Sequence, residues 1–212
     1  MSITEIMKER HPNQDKIYGV VTGIVTNNKD PDGLGRVKVK IPRLSGEDES
    51  NWARVVTFMA GKERGAFFLP EVDDEVLVAF EYGDITMPYI IGALWNGVDK
   101  PFEANSDGKN NIRAIKSRSG HLIRLDDKDG GEKIEIIDKS GKNMLTIDTK
   151  SNKITIISEK DIELSATKGK VTIDAQEVEI KSSSNTKVEA GGNMGLKASG
   201  TMTVKGATVN IN

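Results

Sequence analysis

VTIDAQEVEIKSSSNTKVEAGGNMGLKASGTMTVKGATVNI, residues 171–211, carries short apolar segments that return about every eight residues. Extending the pattern towards the N-terminus and taking the second apolar position of each segment gives a series. It runs Ile136, Ile147, Ile156, Leu164, Ile173, Ile180, Val188, Leu196, Val204 and Ile211, with spacings of 11, 9, 8, 9, 7, 8, 8, 8 and 7. A short, nearly fixed period marks a stacked repeat. Alternation along a strand sends residues i and i+2 to one face, so each segment offers two aliphatic side chains there. Between the segments lie Lys, Asp, Glu, Ser, Thr, Asn and Gly, the residues of solvated faces and turns.

That apolar face needs a partner. A single-chain solenoid encloses its core with coils of roughly 20 residues. Eight residues make only one side and one corner. Three chains can each supply one side, with the apolar faces meeting on a threefold axis and the strands of each chain pairing with those of its neighbours. Period and burial alone do not force the number three. Layers ~4.8 Å apart over about ten repeats make a shaft of roughly 50 Å. The ten aliphatic residues are its expected trimer core.

The two halves of the chain differ in chemistry. All ten aromatic residues lie between Tyr18 and Phe102, and all six prolines between Pro12 and Pro101. Aromatic side chains bury large areas, so a conventional core is expected in the first half. The narrow repeat has no room for rings. The expected division is a 1–15 N-terminal arm, a 16–103 barrel, a 104–132 linker and neck, and a 133–212 needle.

Strand-like runs alternate with turn signals in the first half. They are Ile17–Thr26, Arg36–Ile41, Trp52–Phe58, a short Gly65–Leu69, Val76–Tyr82 and Tyr89–Leu94, with the turn NNKDPDGLG at Asn27–Gly35. Five or six short strands without a strong helix predict a small closed barrel, since closure removes exposed edges. The fold class is therefore all-β.

Chemistry-bearing motifs are sparse. The formal net charge is −2, which gives no broad basic field for nucleic acid. Cysteine is absent, excluding disulfides and thiolate chemistry. The start shows no apolar leader, and no stretch approaches the ~18 apolar residues of a membrane span. Glu71, Asp73, Asp74 and Glu75 read as an acidic turn before a strand. Asp126, Asp127, Asp129 and Gly130 lack the later Glu of a calcium loop and read as a hairpin turn. Gly33-Leu34-Gly35 has no following helix and is a turn. His11 and His121 are the only histidines, too few for a catalytic or metal set, and His121 is expected to hydrogen-bond structurally at the neck. Trp52, Phe67, Phe68, Tyr82 and Tyr89 are expected in the core, ahead of a role as base-stacking platforms. No catalytic residue, cofactor or metal site is expected.

Several strings in the first half resemble one family. They are Asp32-Gly33-Leu34-Gly35-Arg36-Val37-Lys38-Val39, Trp52-Ala53-Arg54-Val55, Ala60-Gly61-Lys62, Arg64-Gly65-Ala66-Phe67-Phe68-Leu69-Pro70-Glu71-Val72, Asp74-Glu75-Val76-Leu77-Val78-Ala79-Phe80 and Pro88-Tyr89-Ile90-Ile91-Gly92, closed by Trp95-Asn96-Gly97 and Lys100-Pro101. Their order and spacing resemble the phage baseplate assembly protein V and VgrG family of central spikes. Ser119-Gly120-His121 with Asp126-Asp127 is similar to the neck that leads into VgrG needles.

The resemblance implies an OB-fold barrel followed by an intertwined triple-stranded β-helix, assembled as a homotrimer. It implies a spike that pierces a target envelope mechanically when a sheath contracts, with no catalytic site. A hub protein would dock on the barrel and a PAAR-type tip protein on the C-terminal end. The target membrane would be contacted mechanically, and no nucleic-acid binding is expected. The chain would be cytoplasmic during assembly, then part of a phage tail, a tailocin or an extracellular injection particle. No lysozyme-like domain, preceding hub domain or His-x-His tip pair is seen. The competing reading is an OB-fold nucleic-acid-binding protein with a repetitive β tail.

Overall fold

The protein is described by a computed structural model covering residues 16–44 and 48–211; the expected arm at 1–15 lies outside these. The chain divides into one unit ending at Ile157 and a second beginning at Ser158.

In the first unit, the alternation of RVKVK becomes β2 (Arg36–Lys40), with Val37 and Val39 fully buried and the basic residues partly exposed. β1 (Val21–Asn27) pairs antiparallel with β2 on one side and with β6 (Glu75–Phe80) on the other. β3 (Ala53–Val55) pairs parallel with β7 (Pro88–Ala93), closing a barrel of order β1-β2-β3-β7-β6. A small hairpin, β4 (Ala60–Gly61) and β5 (Arg64–Gly65), stands apart from it. The expected strand at Gly65–Leu69 is reduced to this hairpin's second arm. Its backbone geometry depends on Gly65: at φ +154° an added Cβ would lie 2.8 Å from the Met59 carbonyl oxygen.

The barrel core is Val25, Val37, Val39, Ile41, Ala53, Val76, Val78, Phe80 and Ile90. This corrects the expectation that aromatics fill it. Phe67, Phe68 and Tyr82 are exposed, at 79%, 62% and 74%. Trp52 lies half-buried with the cationic groups of Arg36 and Lys38 5.8 and 5.6 Å from its ring centre. Tyr89 is likewise half-buried, beneath the Arg54 guanidinium. The reason is size. Five short strands leave an interior that β-branched side chains largely fill, so Phe80 is the ring it takes in and these others lie at its surface.

The NNKDPDGLG turn is held by Asp30. Its carboxylate accepts the backbone N–H groups of Asp32, Leu34 and Arg36 at 3.0–3.2 Å and two bonds from the Arg36 guanidinium, at 2.9 Å from Nε and 2.7 Å from Nη2. Gly33 and Gly35, at φ +66° and +68°, supply the left-handed geometry this wrapping needs. The Arg36 guanidinium holds the Asp30 carboxyl well below the usual carboxylate range. A depressed carboxyl contributes stability above its unfolded value of about 3.9, and that contribution is lost as pH falls from about 5 downward. Urea unfolding of the barrel at pH 7 and pH 3 should therefore show an acid loss that shrinks in Asp30→Asn. An unchanged pH dependence in that variant would remove Asp30 from the account.

From Ile112 to Ile157 the chain forms one antiparallel meander: β8 (Ile112–Lys116), β9 (Leu122–Asp126), β10 (Lys133–Ile137), β11 (Met144–Asp148) and β12 (Lys153–Ile157). It crosses the expected division at 132/133, since β9 and β10 pair along their full length. In this stretch the strands pair within one chain rather than with neighbours. Repeats of 11 and 9 residues leave six- and four-residue links, 138–143 and 149–152, over which the chain turns back.

From Ser158 onward no further strand is formed within the chain among the described residues. The backbone instead bends at 159–160, 167–169, 176, 183–184, 191–192, 199–200 and 207–208. This periodicity matches that of the apolar segments.

Candidate assembly interface

Register sorts the meander's residues into two unlike faces. Ile115, Ile123, Ile136, Leu145 and Ile156 stand side by side across the five strands. The neighbouring row two residues along is Arg113, Leu125, Ile134, Ile147 and Ile154. Because period-two alternation puts both rows on one face, nine aliphatic side chains and one arginine share it. Ile136 is 49% exposed and Ile156 61% in the single chain. Contiguous apolar surface of this kind marks an interaction site.

The opposite face is polar in two of its three rows; the third, Lys116, Leu122, Ile137, Met144 and Ile157, is mostly apolar. Ala114, Arg124, Glu135, Thr146 and Thr155 form its central row. Arg124 donates to Asp126 at 3.1 Å. A further row alternates in charge as Asp126, Lys133, Asp148, Lys153. Opposite charges placed directly across strands are the favourable cross-strand arrangement. Charge is thus concentrated on one face, and hydrocarbon predominates on the other.

The turns are fixed locally. Asp138 accepts the Ser140 hydroxyl at 2.8 Å and the Asn143 backbone N–H at 3.2 Å, and these bonds lower its carboxyl below the usual range. His121 Nδ1 accepts the Lys139 N–H at 3.3 Å, tying two turns together as a structural residue would. Asp127 pairs with Arg113 at 2.5 Å, and Arg118 reaches across to Glu71 of the barrel at 2.9 Å. The acidic motifs noted in the sequence are thus engaged in turns and ion pairs. Among the described residues no cluster of three potential metal ligands occurs.

Of the ten expected core positions, Ile136, Ile147 and Ile156 share the apolar face of the meander. Leu164, Ile173, Ile180, Val188, Leu196, Val204 and Ile211 are all exposed in the second unit. The sequence reading missed Ile115, Ile123 and Leu125, which join the same face from β8 and β9. A lone apolar residue between Arg113 and Ser117 shows no repeat, so only pairing register reveals them. It also missed a groove of about 420 Å³ beside the β4–β5 hairpin, lined by Leu34, Met59, Phe67 and Phe68 together with Thr57 and Arg64.

The barrel portion, residues 21–95, matches the type VI secretion system/phage-baseplate injector OB domain. The barrel is similar to that domain over about a third of the chain. Relatives of the chain around this injector OB domain are spike proteins. The chain is 31% identical over 137 residues to the type VI secretion system spike protein VgrG5 of Pseudomonas aeruginosa, covering 58% of this chain and 17% of that protein. It is 31% identical over 133 residues to VgrG1a of the same organism, covering 56% and 21%. It is 32% identical over 111 residues to VgrG3 of Vibrio cholerae, covering 49% and 11%. The chain is similar to VgrG spike proteins over part of its length, and its matches span about a fifth or less of those relatives' length. The residues that match the injector OB domain form the closed barrel, in agreement with the all-β class expected from the strand pattern.

Proposed function

We propose that the chain is the central spike of a contractile injection machine, a homotrimer that pierces a target envelope mechanically. The observation that carries this is the apolar face of β8–β12, left open in the single chain and continued by seven more aliphatic repeats after Ser158. Burying an isoleucine stabilises by about 1.5–3 kcal/mol, and three copies each presenting this series have a large incentive to close on a common axis. The family of the barrel and the spike-protein relatives point to the same use.

In this reading stiffness is the activity. It arises from strand hydrogen bonds and a dry axis spread over many layers, so no side chain is catalytic and no cofactor is needed. The injector barrel receives a hub protein, and the exposed aromatics about the β4–β5 hairpin support a docking role there. A PAAR-type tip protein caps the C-terminal end. The chain is made in the cytoplasm and works as part of a phage tail, a tailocin or a related particle. No helix among the described residues is long and apolar enough to cross a membrane.

Light scattering of the purified chain tests this directly. Three times the 23.1 kDa chain mass is expected, independent of dilution into the low micromolar range. A monodisperse single chain with β-rich circular dichroism would overturn it. Association with single-stranded DNA should be absent even at low salt, where phosphate contacts are strongest.

A further inference from the structure

We infer that the meander of residues 112–157 sets the register in which the three needles align; this rests on the trimer reading above. The needle has a problem that its regularity creates. Ile180, Val188, Leu196 and Val204 are each eight residues apart. A chain displaced by one repeat puts Val188 where Ile180 stood, Leu196 where Val188 stood and Val204 where Leu196 stood. Every axial layer except those at the ends stays filled with an aliphatic side chain. Weakly specified register of this kind invites slippage.

The meander has no such degeneracy. Its links are 117–121, 127–132, 138–143 and 149–152, five, six, six and four residues long. No displacement superimposes one strand on another while keeping the turns. Its two apolar rows have fixed partners, and Arg113 breaks the uniformity of one of them. Its five strands pair with one another within one chain, so it can form before assembly and present its apolar face. The needle has no strand pairing of its own before assembly among the described residues. The meander is joined to it directly at Ile157–Ser158. Three preformed faces that fit in one way bring the three Ser158 residues to the same level. Zipping from there places equivalent repeats in the same layer.

Two full-length variants and one label test this. Ile136 is half-exposed in the single chain, so Ile136→Asp leaves each meander foldable but brings three carboxylates together when the faces meet. The expected result is a single-chain particle whose residues beyond 157 are digested by protease, although every needle residue is native. Leu196→Asp should stay three-chained, with digestion confined to the distal needle. The chain contains no cysteine, so a nitroxide on Ser199→Cys reports needle alignment alone. One narrow inter-label distance is expected in the parent, and several distances when Ile123 and Ile136 are both changed to Ala. A protease-resistant three-chain needle in Ile136→Asp would overturn the inference. So would single chains from Leu196→Asp, or one narrow distance in the double-alanine chain. Failure of the trimer reading itself looks different: the unmodified chain would then be single.

Discussion

Ile180→Asp is expected to leave no intact shaft at neutral pH. In the trimer, one substitution places three carboxylates around the axis at the same layer. Each charged group taken from water into a dry interior costs several kcal/mol even after relaxation, and mutual repulsion of like charges adds to it. Layers above and below contribute only two aliphatic side chains per chain, worth about 1.5–3 kcal/mol each. Three such charges offset roughly what a whole flanking layer of six aliphatic side chains contributes, so the shaft opens around residue 180. Limited proteolysis should cut the needle around the substitution, where the parent shaft resists. Acid should restore it. Burial and like-charge neighbours raise the assembled carboxyl above its free value of about 3.9, so the penalty is present above that value and fades as pH falls towards it. Ile180→Val should be resistant at all pH values. A fully resistant Ile180→Asp shaft at pH 7 would show that Ile180 faces solvent.

The barrel should respond most strongly to Ile90→Ala. Ile90 is 1% exposed and sits where the sheet closes, opposite Val55 of β3 and Val78 of β6. Truncating a buried isoleucine to alanine costs about 2–5 kcal/mol, the transfer loss plus the cavity left behind. Domains of this size are stable by about 5–15 kcal/mol, so the urea midpoint should drop by about a third at mid-range. Tyr82→Ala, on an exposed ring, should move it by no more than about 0.5 kcal/mol. Equal effects from the two variants would contradict the aliphatic core.

The barrel was readable from its strings and alternation because both faces of each strand are committed: RVKVK can bury only its valines. What misled was the aromatic content. Ring size argues for burial in general, but the interior of a five-stranded barrel is set by strand number, which no single residue reveals. The needle periodicity was equally plain at Ile136, Ile147 and Ile156, and their shared face followed from alternation. The way their strands pair did not. Spacings of 11 and 9 against 8 look like noise along a sequence, yet the stretch that carries them folds back on itself and the stretch after it bends and moves on.

The bends at 183–184, 191–192, 199–200 and 207–208 make needle length a quantised trait. Duplicating or deleting eight residues preserves every face and changes reach by a fixed increment. Spacings of 9 and 7 in the same series show that a bend also takes up one residue more or fewer without losing the apolar segment. In the proposed spike, reach can therefore lengthen or shorten in whole layers.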